Sequence, residues 1–274
     1  MMKPISVSTV CTESRVKEFL ITKRTLELFH DCKWSVVCDE FTSNYFDSHE
    51  NFTPVKIVNM EGRHYNSSES SASDFFELVK NKMVAMKEGI EDGGYSLFLD
   101  TDLIFISPLD DCFFNFLNDD SKTLFLTSHC HTEEHSDNRE RYGTYNVGML
   151  ASKTIDFTDK WIEETEKLNC KYGLEQKPVT TIANEMMDQV TVADSNYNYG
   201  WWRSLISGDH SRLTSDNGKL CLDGKEIINI HAHTDRQNSR GPYEINFLNE
   251  TFRKMSDSDK YNEVFDIIRE VYNI

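Results

Sequence analysis

Tyr95-Ser-Leu-Phe-Leu-Asp100-Thr-Asp102-Leu-Ile-Phe-Ile-Ser-Pro108 is an apolar run cut by two carboxylates one residue apart, after which the apolar character resumes. Ser96 to Ile106 is too short and too charged for a membrane span. Its density of Leu, Ile and Phe predicts one strand buried on both faces, as in the middle of an α/β sheet. Buried carboxylates without partners are costly, so Asp100 and Asp102 need a cation, a hydrogen-bond network or the open end of the sheet. On a strand, residues two apart point to the same face, so both side chains can converge on one ion.

Working outward, a helix is expected just upstream, from Asp74 to Asp92. Asp74 and Glu77 form a capping box, Gly93-Gly94 supplies a stop, and Phe75, Val79, Met83, Met86 and Ile90 make one apolar stripe. Lys82 borders that stripe, where a lysine either lays its stem along the core or reaches an anion. Further back, Pro4 to Val10, a helix within Glu13 to His30 and the run Trp34 to Asp39 read as a β-α-β unit, with Val55 to Val58 as a third strand. The polar run Asn66 to Ser73 reads as a loop.

Downstream, Pro108 to Asp111 turns the chain, and Thr123 to Thr127 and Tyr145 to Ala151 read as strands. Helices are expected over Asp156 to Leu168 and over Ala183 to Asp194. Lys219 to His231 carries a hairpin signature with Asp223-Gly224 as a type I′ turn. A last helix spans about Asp259 to Tyr272, with Tyr261, Val264, Phe265, Ile268 and Val271 on one face. The chain shows no repeat and no Pro/Gly-rich linker, so 1–274 is expected to be a single domain.

The composition narrows the function. A formal net charge of −17 over 274 residues argues against a nucleic-acid surface, which needs a basic face. It leaves room for a small phosphorylated ligand, since a few lysines and one divalent cation suffice locally. The seven cysteines are scattered, with no CxxC pair, and read as reduced thiols of a cytoplasmic, soluble protein without a signal peptide or transmembrane segment.

His231 and His233 close a second apolar strand on one shared face. Two carboxylates suit Mg²⁺ or Mn²⁺, and an added imidazole moves the preference towards Mn²⁺. Arg236 and Arg240 follow as candidate phosphate clamps.

These residues resemble a known family. Leu97-Phe-Leu-Asp-Thr-Asp-Leu-Ile-Phe is similar to the hhhDxDhhh signature of metal-dependent glycosyltransferases of the GT-A fold. Lys82 resembles the basic residue these enzymes aim at the sugar-nucleotide. Tyr145-Asn146-Val-Gly148-Met-Leu resembles their strand beside the donor sugar, and Glu185-Met-Met-Asp188-Gln189 their Asp-Gln helix in glycogenin-like members. Ile228-Asn-Ile-His231 resembles the late strand that completes the metal shell, although the Gly and Lys-Pro-Trp that follow that histidine in glycogenin-like members are replaced here by Ala-His-Thr-Asp-Arg.

The resemblance implies one Rossmann-like α/β domain, a mixed, mostly parallel sheet flanked by helices, with 1–106 as the nucleotide-binding half and 107–274 as the acceptor half. It implies a UDP- or GDP-sugar donor, Mn²⁺ or Mg²⁺ as cofactor, and a hydroxyl on a glycan, lipid-linked or protein acceptor. Metal ligands would come from Asp100, Asp102 and His231 or His233. Thr9, Val10, Cys11, Asp39, Lys82, Asp100, Thr101, Asn146, Gly148 and Arg236 would hold the donor. Asp188 and Gln189 would face the reacting centre, and Trp201 and Trp202 would either carry the acceptor on their indole faces or lie in the core. Two rivals remain: an aspartyl-phosphate phosphatase of the haloacid-dehalogenase kind, with Asp100 as nucleophile, and a non-catalytic member of the fold that binds glycans or partners.

Overall fold

The computed structural model describes residues 3–49, 54, 56–57, 72–129, 137, 140, 142–167, 175–200, 202, 212–232 and 242–274. The polar run 66–71, Trp201, His233, Arg236 and Arg240 lie outside them.

The opening unit forms as expected. Strand β1 (Ile5–Cys11) leads into helix α1 (Val16–Glu27) and strand β2 (Cys32–Cys38), and β1 and β2 pair in parallel from Ile5↔Cys32 to Cys11↔Cys38. Helix α2 (Glu40–His49) and the short β3 (Lys56–Ile57) follow. Helix α3 (Ala72–Gly93) begins two residues ahead of its expected start and stops where expected, with Gly94 in the left-handed region at φ +80°.

The run Ser96 to Ile106 is not one strand. It splits into β4 (Ser96–Leu99) and β5 (Leu103–Phe105), which belong to different sheets. Both halves are fully buried, and an unbroken apolar run does not reveal where one sheet hands over to another. Asp100 and Asp102 therefore converge through a turn and not through the pleat of a strand.

Helix α4 (Asp111–Asn118), β6 (Leu124–Ser128) and β7 (Tyr145–Ser152) come next. The short α4 has no counterpart in the sequence reading. Asp110 caps it by accepting from Cys112 N–H, and the Asp-rich Pro-marked segment before it reads as a turn alone. Helix α5 (Ile155–Lys167) matches expectation. The helix expected over 183–194 does not exist. Helix α6 (Gln176–Glu185) reaches only the first three residues of that span, a single 3-10 turn covers Met187–Gln189, and Val190–Val192 is strand β8.

The main sheet has the order β3-β2-β1-β4-β7-β6-β8, and β7 is the strand that runs against the others. Alternation assigns its two faces. Leu97 and Leu99 point into one core with α1, and Phe98 points into the other with Val79, Met83 and Met86 of α3. Phe125 and Leu126 divide between the same two cores.

The remaining strands are β9 (Tyr199–Gly200), β10 (Leu213–Asp216), β11 (Lys219–Leu222), β12 (Lys225–Glu226) and β13 (Asn229–His231). The expected hairpin is present, with Asp223 at φ +53° and Gly224 at φ +78°, as a type I′ turn requires. Beyond it β13 pairs antiparallel with β5 and parallel with β9 in a second, three-stranded sheet. Helices α7 (Pro242–Ser256) and α8 (Asn262–Tyr272) end the chain. Among the described residues no helix is long and apolar enough to cross a membrane.

Candidate active site at the crossing of two sheets

Asp100 and Asp102 are each tied to a different sheet. Asp100 N–H donates to Gly148 O at 2.8 Å, extending the β4–β7 ladder by one rung. Ala232 N–H donates to Asp102 O at 2.8 Å, extending the β5–β13 ladder in the same way. The turn between them is clamped from α1. The buried Thr22 hydroxyl accepts from Leu103 N–H at 3.1 Å and lies 2.6 Å from Thr101 O. The two carboxylates are thus fixed by backbone on both sides before any ligand arrives.

The second sheet also delivers the imidazole. On β13, His231 pairs with Leu103, which puts its ring beside the turn. His231 Nε2 lies 2.9 Å from Asp102 Oδ1, and one ligand atom from each of Asp100, Asp102 and His231 falls within 4.8 Å of the others. Gly148 makes the room. A Cβ there would sit 2.5 Å from His231 Cε1, 2.9 Å from Asn146 Oδ1 and 3.0 Å from Asp100 Oδ2. Oxygen and imidazole donors of this kind suit Mn²⁺ or Mg²⁺.

Lys82 joins the cluster from α3. Its stem runs along the core, the ammonium lies 5.3 Å from the Phe98 ring centroid, and Nζ reaches Asp100 Oδ1 at 2.9 Å. Both sequence readings of this lysine are therefore true of different atoms. Burial opposes its charge, but Asp100, then Glu175 and Asp102, outweigh that and hold its pKa above the ordinary lysine value. The ammonium is charged throughout the neutral range.

The other predicted donor residues divide. Asn146 and Gly148 are at the cluster. Thr9 spends its hydroxyl on Leu99 O at 2.7 Å inside the sheet. Cys11 and Cys38 end β1 and β2 in register, and burial pushes Cys38 up to about 12 and Cys11 well above its ordinary value, so both stay thiols. Asp39 is buried after β2, where it accepts from Glu13 N–H at 3.0 Å and Thr42 N–H at 2.8 Å. Each of its oxygens keeps a further lone pair.

Asp188 and Gln189 are not where the resemblance put them, and Trp202 takes the core reading of the two open to it. Asp188 and Gln189 are exposed at the other end of the sheet, with Gln189 O accepting from Thr123 N–H ahead of β6. From Gly148 to Ser152, the β7 residues that mark the two ends, is roughly 13 Å at about 3.3 Å per residue. Trp202 is 8% exposed, and its ring meets His231 edge-on at 5.1 Å, which makes it a wall behind the imidazole and not an open platform.

The acid–amide pair that does come to the site is Glu175-Gln176, which the sequence reading passed over. Glu175 is buried within electrostatic reach of Lys82, and Gln176 Oε1 accepts from Val147 N–H at 3.3 Å, between Asn146 and Gly148. Pro178, tolerated in a first helical turn, was the available signal that a helix starts here and not at 183.

No family model matches the sequence, and no curated protein matches it. Solved structures do match in shape. Mouse xyloside xylosyltransferase 1 superposes with a TM-score of 0.54 at 14% identity, over 88% of this chain and 100% of that one. The Streptococcus pneumoniae TIGR4 glycosyltransferase GlyE gives 0.55 at 14% identity, with 99% of this chain spanning 64% of that one. A glycosyltransferase involved in the glycosylation of the major capsid of PBCV-1 gives 0.51 at 11% identity, over 92% and 100% of the two chains. At such identities the likeness is one of fold. The chain has the mixed α/β architecture of GT-A glycosyltransferases, with the Asp-Asp-His cluster where the seven-stranded sheet meets the β5-β13-β9 sheet.

Proposed function

We propose that this chain is a metal-dependent glycosyltransferase that moves a sugar from a UDP- or GDP-sugar to an acceptor hydroxyl. The observation that carries the proposal is the meeting of Asp100, Asp102 and His231 where two sheets cross, with Lys82 ion-paired beside them. The cluster fits Mn²⁺ or Mg²⁺ in its donor set and in the space that Gly148 leaves. A bound ion there supplies positive charge to a departing diphosphate.

The chain's own residues do the rest. Lys82 adds a second fixed positive charge and holds Asp100 in place. The carboxyl ends of β1 and β2, with Asp39 at the rim, form the crevice in which open α/β sheets bind nucleotides. Residues 1–106 then serve as the nucleotide half, and 107–274 contribute β7, Glu175-Gln176, His231 and the acceptor side. Asn146 and Gly148 stand beside the donor sugar. Glu175 and Gln176 take the role first sought at 188 and 189, facing the reacting centre.

A catalytic role is favoured over a binding-only one because both aspartates and the histidine are intact and pre-positioned. Asp100 follows the fourth strand and is already paired with Lys82, which speaks against its being a phosphatase nucleophile. A thermal-shift panel of UDP- and GDP-sugars, with Mn²⁺ and with EDTA, tests the proposal. One family of nucleotide-sugars should raise the melting temperature with Mn²⁺ alone; stabilisation by none of them would sink it.

A further inference from the structure

The cluster's histidine is the end of a hydrogen-bond chain whose direction is fixed at the other end by the backbone. Gly148 N–H is a donor that cannot be reversed, and it points at Asn146 Oδ1 at 2.8 Å. That settles the Asn146 amide: the atom facing Gly148 is the oxygen. The same oxygen lies 2.8 Å from the Asn198 side chain, so Asn198 presents its Nδ2 there, and the second Nδ2 hydrogen goes to Thr127 Oγ1 at 3.0 Å. Asn198 Oδ1 is left facing His231 Nδ1 at 3.0 Å. A carbonyl oxygen accepts and does not donate, so Nδ1 carries a hydrogen and Nε2 is turned towards Asp102.

We propose that Asn198 is a positioning residue for the metal centre: anchored through Asn146 to the Gly148 backbone, it keeps the proton on His231 Nδ1 and so presents Nε2 to the ion. Metal-bound histidines commonly donate their other ring N–H to an oxygen in this way, and such partners are worth about 10–100-fold in metal affinity.

The local sequence supports a dedicated position. Asn198 is fully buried between Tyr197 and Tyr199 and has φ +51°, a left-handed conformation that Asn adopts far more readily than most residues. Its own N–H donates to Asn229 Oδ1 at 3.1 Å, two residues ahead of His231 on β13, so backbone and side chain register with the same strand. Trp202 bounds the His231 ring edge-on, and the ring occupies the space that the missing Cβ of Gly148 leaves.

This rests on the metal reading above, and the experiment separates the two. Mn²⁺ affinity is measured by electron paramagnetic resonance of the free ion for the native chain, Asn198→Gly and Asn198→Asp. Glycine keeps the left-handed backbone and removes the side chain, whereas aspartate keeps an acceptor for Nδ1–H. The expected result is a loss of about 10–100-fold in Asn198→Gly, with Asn198→Asp binding clearly tighter than Asn198→Gly at a comparable melting temperature.

Native affinity in Asn198→Gly overturns the proposal, and so does equal loss in both variants, which marks a purely structural asparagine. If the native chain binds no Mn²⁺, the metal reading fails instead. The proton assignment is then decided without metal, by the imidazole ¹⁵N spectrum of His231. A proton directly bonded to Nδ1 that is lost or weakened in Asn198→Gly upholds it, and an Nε2–H ring with bare Nδ1 refutes it.

Discussion

Two places on this sheet carry an aspartate that the sequence singles out, and they could hardly be more different physically. At the crossing of the two sheets, Asp100 and Asp102 have their backbones pinned by separate ladders, and their carboxylates are engaged by Lys82 and His231. At the opposite end, Asp188 sits exposed in a single 3-10 turn, where Lys122 Nζ reaches its carbonyl oxygen at 2.8 Å. The difference lies in what fixes the side chain and not in its chemistry. A carboxylate becomes useful for catalysis when folding has already met the cost of holding it still, and at the crossing two independent sheets share that cost.

Substitutions can break or sharpen this contrast. The largest effect belongs to Asp102→Ala, which should lower Mn²⁺-dependent transfer by about 10²–10³-fold with the circular-dichroism spectrum unchanged; a loss of folded signal would make Asp102 structural. Gly148→Ala comes next. Its methyl would press on His231, Asn146 and Asp100 together, so activity should fall about 10²-fold, as displacements of an ångström produce. Overpacking should also cost roughly 1–3 kcal/mol in denaturant unfolding.

Lys82→Ala should weaken nucleotide-sugar binding about tenfold, near 1.4 kcal/mol by calorimetry, while leaving acceptor affinity unchanged. Unchanged donor affinity would reduce Lys82 to a core-lining stem. Asp188→Asn should do almost nothing, with stability within about 0.5 kcal/mol and activity within about twofold of native. A large loss there would mean that the far end of the sheet takes part in the chemistry.

Much of this was open to a reader of the sequence. The β-α-β opening, the long helix stop at Gly93-Gly94, the type I′ turn at Asp223-Gly224 and the pair Asp100, Asp102 follow from periodicity, turn chemistry and the cost of burying charge, and the family resemblance adds Lys82 to the pair. The resemblance also asks for a late histidine, His231 or His233, and among the described residues the structure brings His231 to the aspartates. What escaped depends on which sheet a segment joins. Leu97 to Ile106 is apolar on both sides of the aspartates whether it is one strand or two. Nothing local says that β5 leaves to meet β13.

The choice between two acid–amide pairs failed for a related reason. Glu175-Gln176 and Asp188-Gln189 look alike in sequence, and only the helix boundary, set by packing over β7, decides which reaches the cluster. Thr22 and Asn198 were invisible for a third reason. Each acts through long-range hydrogen bonds, Thr22 to Thr101 and Leu103 and Asn198 to Asn146, Thr127 and His231, and a lone Thr in a helix or Asn between tyrosines carries no signature of such partners.

The central claim is that the crossing of the sheets binds a divalent ion and a nucleoside diphosphate together. Calorimetric titration of UDP and of GDP into the native chain, once with Mn²⁺ and once with EDTA, tests it most directly. The account predicts that one of the two nucleotides binds at least about tenfold more tightly with Mn²⁺, a gain of about 1.4 kcal/mol or more. Equal affinity with Mn²⁺ and with EDTA for both nucleotides would contradict it.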